Sequence, residues 1–321
     1  MSTPLLEIEH LTVTFGRGDN TSTVVDDVSF SVAAGEKFAL VGESGSGKSI
    51  TAMSVLRLVD AATSRGVIRF DGVDLMRKSE AEMRGLRGKD VAMIFQEPMT
   101  ALNPLYTVGN QIGEVLELHE GLGKAAARQR AIELLDRTGI PEPGRRIDSY
   151  PHELSGGQRQ RAMIAMALAC RPRLLIADEP TTALDVTIQA QILALLEELQ
   201  RDFGLTLMFI THDLNLVRRF TDRVGVMERG RLVEIGRTAE VFEHPQHVYT
   251  RRLLDTRPRR QVQAVDAAAP VLLRGRGLDV SFDIRTGWLR KRSFVAVKGV
   301  DIDLQRGETL ATALRTRVAT F

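Results

Sequence analysis

Gly42-Glu43-Ser44-Gly45-Ser46-Gly47-Lys48-Ser49 fits the pattern G-x-x-x-x-G-K-[ST]. It follows the apolar run Phe38 to Val41, read as a strand, and opens a helix predicted from about Lys48 to Val59. In that setting the glycines let backbone N–H groups converge on the β- and γ-phosphates of a nucleotide. Lys48 adds a point charge, and the helix N-terminus adds roughly half a positive charge. The Ser49 hydroxyl is placed to ligate Mg²⁺. Leu174-Leu175-Ile176-Ala177-Asp178-Glu179 is an apolar strand ending in two carboxylates. Asp178 suits Mg²⁺ binding through water, and Glu179 suits a general base for an attacking water, a role worth about 10²–10⁴-fold in rate. Leu154-Ser155-Gly156-Gly157-Gln158 places a serine and two glycines at a helix N-terminus, a second anion site.

With these three motifs in this order, the chain resembles the ATP-binding-cassette ATPases, whose signature is LSGGQ. The resemblance covers about residues 5–256 and implies an α/β P-loop fold. That fold has a mixed core sheet with helices, an antiparallel β subdomain and a helical subdomain over about 97–170. It also implies that two cassettes close head-to-tail, so that Ser155, Gly156, Gly157 and Gln158 of one contact the γ-phosphate held by the other's loop, residues 42–49. Gln96, at the end of the strand Val91 to Phe95, matches the glutamine that senses Mg²⁺ and the membrane partner. Ala183-Leu184-Asp185 matches the D-loop, which places Asp185 at the nucleotide. His212, after the strand Leu205 to Ile210, matches the switch histidine that contacts the γ-phosphate. Phe15 is the candidate for stacking on adenine; a core strand residue is the alternative reading.

Met93 to Pro104, Ile164 to Pro172, Asp178 to Gln191 and His244 to Thr250 are similar to the oligopeptide/dipeptide/nickel importer subfamily. The resemblance thus implies an ATPase that binds ATP and Mg²⁺ and powers import of di- or oligopeptides or related solutes. Nickel or glutathione import, or an inactive remnant, are the alternatives. The implied partners are two transmembrane permease subunits, a second cassette (identical or different) and, indirectly, an extracytoplasmic solute-binding protein. The implied place is the cytoplasmic face of the membrane. A cassette ATPase acting on DNA or ribosomes would carry a long coiled-coil insertion or two complete cassettes. Neither is read here, and no nucleic-acid partner is expected.

The elements that must position these residues are legible as periodicity. Residues 5–32 alternate apolar and polar, as half-buried antiparallel strands do. Residues 67–75 read as strand and turn, and 110–139 as helix, before Pro141, Pro143 and Gly144 break the pattern. Residues 156–170 form an apolar helix. Ile188, Ile192, Leu195, Leu196, Leu199 and Phe203 share one helical face. Leu174 to Ala177, Leu205 to Ile210 and Val224 to Met227 are short apolar strands. Buried strands alternating with helices indicate a parallel α/β sheet.

Composition is that of a globular protein: 321 residues, 43% hydrophobic, 26% charged and a net charge of +2. The one cysteine, Cys170, excludes an internal disulfide and a Cys-based metal cluster. Its pattern is that of plain packing. The longest apolar run, Ala162 to Cys170, is too short to span a bilayer. The N-terminus lacks the features of a signal peptide. Residues 257–270 have a linker's composition. Beyond them the chain repeats itself: Leu273, Leu278, Val280 and Phe282 match Leu6, Leu11, Val13 and Phe15, while Val297, Val300, Gly307 and Glu308 match Val25, Val28, Gly35 and Glu36. Residues 271–321 are therefore expected to be the start of a second cassette that is truncated before its glycine-rich loop.

Overall fold

The computed structural model describes residues 4–17, 20–97, 101–180, 186–255, 269–285 and 291–308. The chain divides into two compact units, Met1–Thr256 and Arg257–Phe321. In the first unit, β1 (Leu6–Arg17), β2 (Asn20–Val32), β4 (Ala62–Phe70) and β5 (Val73–Asp74) form an antiparallel sheet in the order β2-β1-β4-β5. A second sheet has the order β10-β9-β3-β8-β7-β6. Its strands are β3 (Lys37–Val41), β6 (Val91–Ile94), β7 (Leu174–Asp178), β8 (Thr206–Ile210), β9 (Arg223–Glu228) and β10 (Arg231–Arg237). All its pairings are parallel except the edge pair β9–β10, so the sheet is mixed.

The apolar runs of the second sheet are continuous because both its faces are buried. Alternate residues serve different cores, as the two-residue period of a strand requires. Phe38, Leu40, Leu174, Ile176, Met208 and Ile210 join the core shared with β1, β2 and α1 (Lys48–Val55). Ala39, Val41, Leu175, Ala177, Leu207 and Phe209 join a second core under α6 (Gly156–Ala167) and α7 (Val186–Phe203). A third cluster, between Leu102 and Ala169, is built from α3 (Val108–Glu120), α4 (Lys124–Arg137) and α6. Around these lie α2 (Glu80–Leu86), α5 (Pro143–Arg146), α8 (Leu214–Phe220), α9 (Thr238–Glu243) and α10 (Val248–Asp255).

Several boundaries differ from the sequence reading; the helix read over 156–170, for one, ends at Ala167. The helix opened by Lys48 ends at Val55 rather than near Val59, because Arg57 adopts a left-handed backbone, φ 52°. The stretch 110–139 is two helices, since Gly121 caps the first with φ 65° and reverses the chain. The strand expected over 67–75 begins at Ala62, where it pairs with Phe15.

In the second unit β11 (Val271–Arg285) pairs antiparallel with β12 (Lys291–Gln305). Its register reproduces that of β1 with β2. Leu273↔Leu304, Gly275↔Ile302, Leu278↔Val300, Val280↔Val297 and Phe282↔Phe294 stand where the first ribbon has Leu6↔Val32, Ile8↔Phe30, Leu11↔Val28, Val13↔Val25 and Phe15↔Ser22. The bulges coincide as well: His10 and Asp27 have φ 51° and 55°, and Gly277 and Gly299 have φ 56° and 63°. Each bulge is stitched alike. His10 N donates to Ser29 Oγ (2.8 Å) and Gly277 N to Asp301 Oδ1 (2.7 Å); Asp27 N donates to Thr12 Oγ1 (3.2 Å) and Gly299 N to Asp279 Oδ1 (2.6 Å). The surroundings differ. Leu6, Leu11, Val13 and Val28 are fully buried, whereas Leu273, Leu278, Val280 and Val300 are 42–57% exposed.

Candidate active site

The loop after β3 is held open by backbone that only glycine can supply. Gly42 has φ 149°, and a Cβ there would lie 2.2 Å from Met227 O. Gly47, which caps α1 at φ 97°, would bring a Cβ to 2.8 Å from Val24 O. Ser46 O accepts from Gly230 N at 3.0 Å, tying the loop to the β9–β10 turn. Lys48 Nζ donates back to Gly42 O (2.9 Å), Glu43 O (2.8 Å) and Ser46 Oγ (3.2 Å). Its three donors thus organise the loop itself. Burial lowers the Lys48 pKa, and the nearby Glu179 and Asp178 carboxylates oppose that shift.

A cavity of about 150 Å³ opens beside the loop. Ser44, Gly45, Gly47, Lys48 and Ser49 form one wall, with Val24 and Ile50; Gln96 and Glu179 line it too. Val24 and Ile50 were not read from sequence as site residues, because an apolar side chain near a motif carries no chemical signal. Glu179 sits just past the end of β7, its N–H donating to Ile210 O at 2.8 Å. Its backbone is left-handed, φ 45°, a strained conformation for a non-glycine residue and one that clusters at functional sites. Gln96 Nε2 donates to Glu179 Oε2 at 3.1 Å, and His212 Nδ1 lies 3.1 Å from Glu179 Oε1. The fold therefore joins three residues from the ends of three strands, with Glu179 in the middle.

Asp178 is buried, 6% exposed, and its Oδ1 has no hydrogen-bond partner. Burial raises its pKa, Glu179 adds to the rise, and the Ser49 hydroxyl bond and Lys48 oppose it. An orphaned buried carboxylate oxygen beside a serine hydroxyl fits a divalent cation as the missing partner. Among the described residues no cluster of three or more His, Cys, Asp or Glu forms a self-sufficient metal site. A cation here would therefore rely on substrate oxygens as well, as Mg²⁺ commonly does.

The sign of the Asp178 shift yields a test. A carboxyl with a raised folded-state pKa contributes stability at low pH that is lost as pH rises through its folded pKa. Asp178→Asn removes that liability. We expect the nucleotide-free variant to be more stable at neutral pH by about 1 kcal/mol, or roughly 2–4 °C in melting midpoint. The advantage grows as pH rises through the carboxylate range. Thermal melts at several pH values decide; a variant that melts lower at neutral pH contradicts the argument.

Ser155 caps α6. Its Oγ accepts from Gln158 N (3.3 Å), and Gln158 Oε1 accepts from Ser155 N (3.1 Å), a reciprocal box that leaves the Gly156 end of the helix open. A Cβ at Gly156 would meet nothing within 4 Å, so this chain's own packing does not demand the glycine. Among the described residues, Ser155, Gly156, Gly157 and Gln158 do not line the loop cavity. Phe15 is partly buried against the first core and paired with Ser22 and Ala62, also away from the cavity lining. Asp185 lies outside the described residues.

Residues 25–182 match the family model described as ABC transporter. The chain is 52% identical over 258 residues to the dipeptide transport ATP-binding protein DppD of Bacillus subtilis, covering 79% of this chain and 77% of that one. The chain belongs to the ABC transporter ATP-binding proteins. It is also 54% identical over 312 residues to the peptidoglycan transport ATP-binding protein YejF of Agrobacterium fabrum; that alignment covers 96% of this chain but only 57% of the relative. This ABC protein thus spans under two thirds of the length of that relative. Among solved structures it matches the dimeric post-hydrolysis state of the ATP-binding cassette MJ0796 bound to ADP and Pi. The TM-score is 0.67 at 29% identity, over 73% of this chain and 98% of that one. The P-loop cassette fold expected from the sequence is the fold observed.

Proposed function

We propose that this ABC protein binds and hydrolyses ATP to drive a membrane importer of di- or oligopeptides or related solutes. The observation that carries the reading is the Gln96–Glu179–His212 junction at the mouth of the glycine loop. The loop N–H groups and Lys48 hold the triphosphate. Glu179 orients a water in line with the γ-phosphorus and takes its proton at a carboxylate oxygen as the new P–O bond forms; the bond to ADP breaks. His212 steadies Glu179 and the γ-phosphate. Ser49, Gln96 and Asp178 would hold Mg²⁺, which neutralises phosphate charge when bound. Phe15 stacks on adenine, a contact worth roughly 0.5–1.5 kcal/mol.

The signature helix tip at Ser155 to Gln158 serves a second cassette rather than its own loop. Its open glycine and its absence from the cavity lining support that reading, as does the dimeric form of the solved relative. Asp185 belongs to the same contact. Exposed Leu105 and Tyr106, just ahead of α3, are apolar side chains available to one of two transmembrane permeases. No helix among the described residues is long and apolar enough to cross a membrane. The protein would sit peripherally on the cytoplasmic face of the membrane, fed indirectly by an extracytoplasmic solute-binding protein. Residues 5–256 form the cassette, with a helical subdomain over about 97–170, and 257–270 a linker. The shared register and bulges support reading 271–321 as the start of a second cassette.

The deciding experiment is MgATP titration followed by phosphate release from the purified chain. Saturable binding and Mg²⁺-dependent release of ADP and phosphate are expected. A chain that takes up no MgATP overturns the reading.

A further inference from the structure

Besides the tie from Gly230 N to Ser46 O, the phosphate-binding loop makes a side-chain contact that the reaction does not use. The backbone N–H of Glu43, the residue after Gly42, donates to the hydroxyl of Tyr249 at 3.1 Å. The two residues stand 206 positions apart. Tyr249 lies in α10, the last element of the first unit, and is 4% exposed within the second core. Its ring is therefore fixed by packing, and Tyr249 is not among the residues that line the cavity with Gln96 and Glu179.

The helix is itself anchored. Glu234 of β10 accepts from the N–H groups of Gln246 (2.8 Å) and His247 (3.0 Å) through its two oxygens. His247 Nδ1 then accepts from Tyr249 N at 3.2 Å. Burial alone would raise the Glu234 carboxyl, yet these backbone donors hold it below the usual range, so the anchor is charged at neutral pH. A chain of hydrogen bonds thus runs from the sheet edge, through the start of α10, to the loop.

A loop whose N–H groups converge on an anion cannot aim all of them the same way. Each one turned aside needs another acceptor, or it becomes a buried orphan. Resting on the nucleotide site proposed above, we infer that Tyr249 is a positioning residue. Its hydroxyl takes the Glu43 N–H and so sets the start of the loop in the conformation that receives the phosphates. Neither Gly42 nor Lys48 supplies this: Lys48 donates only to carbonyls and a hydroxyl of the loop, and it engages no loop N–H.

The test is Tyr249→Phe in the full chain, which keeps the ring and removes the acceptor. The dissociation constant for a fluorescent ATP analogue with Mg²⁺ is expected to rise about 5–10-fold, the scale of one lost buried hydrogen bond. The KM for ATP rises in parallel, while kcat at saturation stays within about twofold. Amide exchange at Glu43, followed without nucleotide, is slow in the wild type and about tenfold faster in the variant. A dissociation constant within a factor of two of wild type, with unchanged Glu43 exchange, overturns the inference. Should the variant fail to fold, fast Glu43 exchange in the wild type overturns it and slow exchange upholds it. Because exchange is read without nucleotide, failure of the wild type to bind MgATP counts against the proposed activity and leaves the Tyr249 contact to be judged separately.

Discussion

Glu179→Gln is expected to reduce ATP turnover by about 10²–10⁴-fold while leaving MgATP binding within a few-fold of wild type. The geometry explains why the two effects separate. Glu179 is fixed by Gln96 Nε2 at 3.1 Å and His212 Nδ1 at 3.1 Å. A glutamine fills the same volume, accepts from Gln96 through its carbonyl oxygen and places its amide group beside His212 Nδ1. The wall of the cavity therefore persists. What is lost is a group able to take a proton from water, because an amide is not basic. Binding energy that closes a pair of cassettes is still released, but no hydrolysis reopens them. Light scattering should show a MgATP-dependent dimer that decays far more slowly than in the wild type. Wild-type phosphate release in this variant would remove Glu179 from the role of base.

Lys48→Ala acts on the other half of the site. Hydrogen bonds involving a charged partner contribute about 1.5–3 kcal/mol each, so if one Lys48 donor turns to phosphate as proposed, its loss is expected to weaken nucleotide binding by roughly 10–150-fold. The nucleotide-free loop suffers too. Gly42 O, Glu43 O and Ser46 Oγ all accept from Lys48 Nζ, and alanine leaves them without that donor. Asp178 also loses a nearby cation that favours its charged form. Arginine is not a substitute, since its planar fork does not fold back onto carbonyls 2.8–2.9 Å away as a compact ammonium does. Equilibrium titration with a fluorescent ATP measures the loss, and an unchanged affinity contradicts the role given to Lys48.

The chemistry was legible where it is contiguous. The eight residues from Gly42 to Ser49 and the pair Asp178–Glu179 declare strand, turn and helix around them, so the period of the flanking apolar residues and the motif agree. The junction of Gln96, Glu179 and His212 was not legible as a junction. These residues are 83 and 33 positions from one another, and only the parallel order of β6, β7 and β8 puts the ends of those strands side by side. Tyr249 falls in the subfamily-like stretch His244 to Thr250, but nothing in that stretch points to the glycine loop, because its hydroxyl finds the loop only in three dimensions. The break at Gly121 was hidden by helix-favouring residues on both sides. Gly121 and Gly123 are themselves poor helix formers and mark the stop, but the helical pattern on either side reads straight through them, while the third core needs two separate helices.

The two ribbons carry a further lesson. One strand pair lies deep in a core and the other in open surroundings, yet both hold the same partners and the same kinks. Water exclusion cannot be what chooses their alignment. The choice is made locally, by left-handed residues and the side-chain acceptors that tie them down, with glycine in one ribbon doing at less conformational cost what histidine and aspartate do in the other. The alignment of each ribbon is thus written into its own kinked positions, and a residue unable to adopt the left-handed backbone at Gly277 or Gly299 would disturb pairing directly rather than through a core.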